Sequence, residues 1–93
     1  MAHHAAPIGI FDSGLGGLSV LDAIRRHLPD ESIIYVADSL YAPYGEKSDV
    51  FVRARSRALT KWLIARHAKM VVVACNTATT HAIAGLRNEF TLP

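Results

Sequence analysis

The chain has 93 residues, 51% hydrophobic and 19% charged, and its ten basic and eight acidic side chains leave a formal charge of +2. That composition is too apolar for a disordered segment and its charges are too evenly balanced for a nucleic-acid binder, which gathers a stronger basic excess on one face. The longest apolar run, residues 70–75, is far too short to cross a membrane, and a lone cysteine excludes both an internal disulfide and a cysteine-rich zinc site.

The first residues, MAHHAAPIGIF, lack the basic start and long apolar core of a secretory signal. His3 and His4 have no partner ligand nearby and read as part of a disordered end. A soluble cytoplasmic domain is therefore expected. Residues 8–11 form the first short apolar run, followed by FDSGLGG and a stretch with helical spacing from about Gly17. Leu21, Ile24 and Leu28 would be its buried stripe, Arg25, Arg26 and His27 favour the negative end of its dipole, and Pro29 stops it.

A second apolar run, residues 33–37, leads through ADSLYAPYGEKS to a second helix. Ser48 or Asp49 would cap it, and the helix would reach about His67. Phe51, Ala54, Ala58, Trp62 and Ala65 are the expected apolar face. Arg53, Arg57 and Lys61 recur at every fourth position; with no aromatic residues between them they read as a solvated face or a subunit contact rather than a phosphate stripe. The third run, residues 70–74, precedes a helix expected from Thr79 to about Asn88 with Ile83, Leu86 and Phe90 inward.

Three β-branched runs, each followed by a helical stretch, predict an α/β fold: a parallel sheet flanked by helices in the order β-α-β-α-β-α. The runs do not alternate, which suits strands covered on both faces. The third helix leads toward a strand that does not follow, so the domain reads as unfinished.

In open parallel sheets, ligands bind beyond the carboxyl ends of the strands. Those positions are held here by Asp12 and Ser13, Asp38 and Ser39, and Cys75, Asn76 and Thr77. A thiol at a helix start stands beside unpaired N–H groups and the positive end of the dipole, which favour a thiolate nucleophile or base. The other reading of Cys75 is a small buried hydrophobe. Gly14, Gly16 and Gly17 allow a tight turn and close approach to an anion, yet match neither the dinucleotide fingerprint nor the P-loop. Asp12 could hold an ammonium group or a proton, or simply shape the turn. Pro43, Tyr44 and Gly45 lie in a loop fit to wall a pocket. His81 is expected to point along its helix rather than to pair with Cys75.

The stretches FDSGLGGLSV, ADSLYAPYGEKS and VVVACNTATT, in this order and spacing, resemble the amino-terminal part of glutamate racemase, a member of the aspartate/glutamate racemase superfamily. The resemblance implies one half of a pair of flavodoxin-like domains facing each other across a cleft. It also implies interconversion of L- and D-glutamate without pyridoxal phosphate or metal, supplying D-glutamate for bacterial peptidoglycan. Cys75 would then be the first of two catalytic cysteines. Asp12 and Ser13 would meet the substrate ammonium region and assist the thiol, Pro43, Tyr44 and Gly45 would line the pocket, Asn76 and Thr77 would bind carboxylate oxygen, and Thr79 would support the helix start. The second cysteine has no counterpart here, so residues 1–93 read as a truncated amino-terminal domain, inactive alone and prone to self-association. The competing readings are a non-catalytic binding module for a small carboxylate and a thiol-dependent hydrolase or redox sensor. A pyridoxal-phosphate racemase is disfavoured, because Lys47, Lys61 and Lys69 stand away from the strand ends.

Overall fold

The computed structural model describes residues 5–14, 16–39 and 44–93; His3, His4 and Pro43 lie outside them. Its elements are β1 (Ile8–Asp12), α1 (Gly17–His27), β2 (Ile33–Ala37), a 3-10 turn (Tyr44–Glu46), α2 (Asp49–Ala65), β3 (Met70–Val73) and α3 (Asn76–Glu89). The strands form one parallel sheet in the order β2-β1-β3, with Ile8 opposite both Ile33 and Met70. The alternating α/β order and the parallel sheet agree with the expectation from the sequence.

β1 is central, and every residue of it is buried. Its side chains alternate between two layers. Gly9 and Phe11 face α2: a methyl group added to Gly9 would lie 3.0 Å from Leu63, and Phe11 joins Tyr44, Val52, Leu59, Leu63, Ala68 and Ala78 in the main core. Ile8, Ile10 and Asp12 point the other way, where α1 lies, and Asp12 abuts Gly17.

Two helix faces differ from the expected ones. α2 buries Val52, Ser56, Leu59, Thr60 and Leu63. Trp62 is 41% exposed, with the Arg66 guanidinium stacked 3.4 Å from its ring centroid. The stripe through positions 52, 56, 59 and 63 is the one that docks, and its small hydroxyl residues disguised it in the sequence. In α1, Leu28 is 47% exposed and lies just past the helix end. α3 starts three residues before the expected Thr79, because Cys75 itself is the N-cap. Ser48 caps α2 as expected, accepting from the Phe51 amide at 3.1 Å.

After α3 the chain turns back, and the Val71 amide donates to the Pro93 carbonyl at 3.0 Å along the free edge of β3. Among the described residues no helix is long and apolar enough to cross a membrane, and no cluster of side chains suits a metal ion.

Candidate functional site

The sheet order places a switch point between β1 and β3, because the connection from β1 leads to one side and that from β2 crosses to the other. Ligands of open parallel sheets bind at such a crevice. Its rims are the residues after β1 and β3, and the Ala74 amide donating to the Phe11 carbonyl at 2.9 Å holds those two ends level. The Asp38 amide, donating to the Asp12 carbonyl at 3.1 Å, brings the end of β2 to the same height.

Three loops therefore converge. Gly14 has a φ of 96°, and a methyl group there would lie 2.7 Å from the Ser39 α-carbon, so the β1 and β2 loops touch. A methyl group on Gly45 would lie 3.9 Å from the Thr77 hydroxyl, which sets the 3-10 turn beside the start of α3.

On the β3 rim, Cys75 is half-buried and packs against the main core. Its sulfur accepts from the Ala78 amide at 3.5 Å. The thiol is thus both a packing group and the cap of a helix, with a backbone donor aimed at Sγ. Asn76 is exposed and Thr77 half-buried beside it. Thr79 donates to the Cys75 carbonyl at 2.9 Å and so bonds within the helix start.

On the β1 rim, Ser13 is buried and Asp12 has 0% exposure. Asp12 takes the Gly14 amide on Oδ1 at 2.6 Å and the Tyr35 hydroxyl on Oδ2 at 2.5 Å. Burial, reinforced by the Asp12 carboxylate, pushes the Tyr35 phenol up to about 12, so it stays a donor at neutral pH. Asp12 lies buried at the end of β1 on the α1 side, shaping the glycine turn. Gly17 is indispensable to this arrangement, since a methyl group there would lie 1.7 Å from Oδ2.

The β2 loop is held by a network that sequence reasoning missed. Arg55 forks onto Asp38, Nε to Oδ2 at 2.9 Å and Nη2 to Oδ1 at 2.8 Å, while the Tyr44 hydroxyl donates to Oδ2 at 2.5 Å. Asp38 is 8% and Tyr44 1% exposed. Burial alone would raise the Asp38 carboxyl, but the bonds from Arg55 and Tyr44 outweigh it and hold the group below its ordinary value. Burial and the Asp38 carboxylate push the Tyr44 phenol up in turn. The Tyr44 side chain is committed to core and network, which leaves Gly45, exposed, as the part of the turn facing the crevice.

His81 is not paired with Cys75. Its Nδ1 lies 2.6 Å from Asp49 at the start of α2. Arg53 donates to the His81 carbonyl at 3.1 Å, and Arg57 binds Glu89 at 2.7 Å, so two of the three spaced cations stitch α2 to α3 on an exposed face. Two concavities lie away from the strand ends: an apolar one at the free edge of β3, lined by Val71, Val73, Ile83, Leu86 and Phe90, and a polar one between α2 and α3. Neither is lined by Cys75 or Ser13.

No family model matches the chain. It is 59% identical over 88 residues to the glutamate racemase of Cupriavidus pinatubonensis, covering 95% of this chain and 32% of that protein. Among solved structures, glutamate racemase from Thermus thermophilus in complex with β-chloro-D-alanine superposes with a TM-score of 0.92 at 44% identity, over 96% of this chain and 35% of that one. The Escherichia coli glutamate racemase, solved with L-glutamate and the activator UDP-MurNAc-Ala, gives 0.87 at 46% identity over 95% of this chain and 34% of that one. The chain thus spans about a third of the length of the curated relatives it matches.

Proposed function

Taking as premise that the chain is a homologue of glutamate racemases and corresponds to an amino-terminal part of them, we propose that it carries one half of a glutamate-racemising site. The observation that supports this most is Cys75 as the cap of α3 at the β1/β3 switch point, within a sequence 59% identical to a glutamate racemase. In this reading the Cys75 thiolate takes the α-proton from one face of glutamate, and a second thiol from another domain delivers a proton to the opposite face. Asn76, Thr77 and Gly45 meet the carboxylate oxygens, and the buried Tyr44 supports that wall from behind; a pocket role for Pro43 belongs to the same reading. Ser13 stands toward the ammonium group. Asp12, buried beside it, assists by holding the glycine turn.

The same reading includes action without pyridoxal phosphate or metal, a cytoplasmic role in supplying D-glutamate for peptidoglycan, and self-association of the isolated chain. It makes residues 1–93 an amino-terminal domain whose partner domain is needed for inversion. A single thiol on one face cannot reprotonate the other, so the chain alone is expected to exchange without racemising.

The test is α-proton exchange of D- and L-glutamate in deuterium oxide, followed by NMR, with circular dichroism for inversion. Exchange in one enantiomer without inversion, abolished by Cys75→Ala, is the expected result. Inversion by the chain alone would overturn the one-thiol reading. Saturable glutamate binding that persists unchanged in Cys75→Ser, with no exchange, would favour a carboxylate-binding module instead.

A further inference from the structure

We infer that Arg55 and Asp38 form a clamp that sets the Tyr44–Gly45 backbone against Thr77, which makes both of them positioning residues for the carboxylate wall of the crevice. Only the relevance of the clamp to glutamate rests on the function proposed above.

Asp38 is a hub with three attachments. Its amide is tied to the end of β1 through the Asp12 carbonyl. Its carboxylate receives the two arms of Arg55 from α2 and, on the same Oδ2, the hydroxyl of Tyr44 from the 3-10 turn. The Tyr44 ring is locked among Phe11, Val52 and Ala78 in the core. The backbone that follows is then fixed at one height, with Gly45 beside the Thr77 hydroxyl. The path from α2 to the crevice runs through Arg55, Asp38, Tyr44 and Gly45 to Thr77.

A nearly buried ion pair is a poor device for stability, because desolvation offsets most of the attraction and apolar side chains of similar volume do as well. What the guanidinium fork supplies is direction: two parallel bonds define the plane and orientation of the carboxylate, which a lysine cannot do. The third bond, from Tyr44, transfers that orientation to the turn.

The experiment uses the whole 93-residue chain, 15N-labelled, with two readouts: amide exchange and titration with D- and L-glutamate. The Lys47 amide donates to the Tyr44 carbonyl at 2.9 Å and reports on the turn; the amides of Ile10 and Val72 report on the sheet. Arg55→Met is expected to speed Lys47 exchange about tenfold more than it speeds exchange of the sheet amides, which follow only the loss of overall stability. It is also expected to weaken glutamate binding about tenfold, with Arg55→Lys in between. Arg57→Met, which removes an ion pair elsewhere on the same helix, is expected to change neither readout. If Arg55→Met does not fold, Tyr44→Phe and Arg55→Lys carry the same comparison, since each leaves most of the network in place. Unchanged Lys47 exchange in a folded Arg55→Met chain would overturn the clamp. So would a uniform loss of protection throughout the chain, which is the mark of a merely structural pair. If the wild type binds neither enantiomer while Arg55→Met still loosens Lys47 beyond the sheet amides, the clamp stands and the glutamate reading fails.

Discussion

Gly17 decides where Asp12 can stand, and three glycines of this chain separate the reasons for which a glycine is needed. At Gly17 the obstacle is a neighbour, for a methyl group would lie 1.7 Å from the Asp12 carboxylate. At Gly16 the space is open, but φ is 79°, so a side chain meets only backbone strain. At Gly85, inside α3, neither obstacle exists. Gly17→Ala is therefore expected to cost about 3 kcal/mol, Gly16→Ala about 1 kcal/mol, and Gly85→Ala to stabilise by about 0.7 kcal/mol through its higher helix propensity. Urea unfolding of the three variants checks the order. A Gly17→Ala chain as stable as the Gly16→Ala chain would mean that Asp12 can move aside, and the buried carboxylate would lose its claim to a fixed place. The sequence showed a glycine turn after a strand; it could not show which glycine faces the carboxylate, because that depends on where α1 docks.

Among the elements, α2 shows best what was legible. Its start was readable from Ser48, since capping is local chemistry and needs no tertiary partner. Its buried face was not, because one stripe carries Trp62 and the other interrupts Val52, Leu59 and Leu63 with Ser56 and Thr60. Docking on β1 chose the second, where Leu63 fills the space that Gly9 leaves. Leu63→Ala is expected to cost about 3 kcal/mol, and Trp62→Ala only about 1 kcal/mol, from partial burial and the stacked Arg66. Equal losses in thermal or urea unfolding would reinstate the Trp62 face. The site divides in the same way. Ser13, Cys75, Asn76 and Thr77 were legible because strand ends mark one edge of any parallel sheet. Arg55 was not, since it lies 17 residues from Asp38 in sequence and only the folding of α2 brings the two together.

For the molecule as a whole, ion pairs add to the ties between elements that the apolar core already makes. Lys69 pairs with Glu31, Arg57 with Glu89, His81 with Asp49, and Arg55 with Asp38. Asp38 and Glu89 both have carboxyl groups held below their ordinary values, Glu89 chiefly by its bonds from Arg57. The sign follows from linkage: a depressed carboxyl binds fewer protons folded than unfolded, so its contribution is complete above the unfolded value of about 4 and is lost as pH falls through the folded one. Stability is thus expected to be level from about pH 7 to about pH 5 as far as these two groups set it, and to fall below that. The two pairs differ in what screens them. Arg57 and Glu89 meet in solvent, whereas Asp38 is nearly buried, so only the latter resists salt. Asp38→Asn is expected to cost about 2 kcal/mol at neutral pH by leaving Arg55 without its carboxylate, and to flatten the acid limb even in about 1 M salt. Glu89→Gln is expected to act weakly and only at low salt. Urea midpoints measured from pH 3 to pH 7 at both ionic strengths decide between them. An acid limb that survives Asp38→Asn at high salt would overturn the assignment of that limb to the Asp38–Arg55 pair.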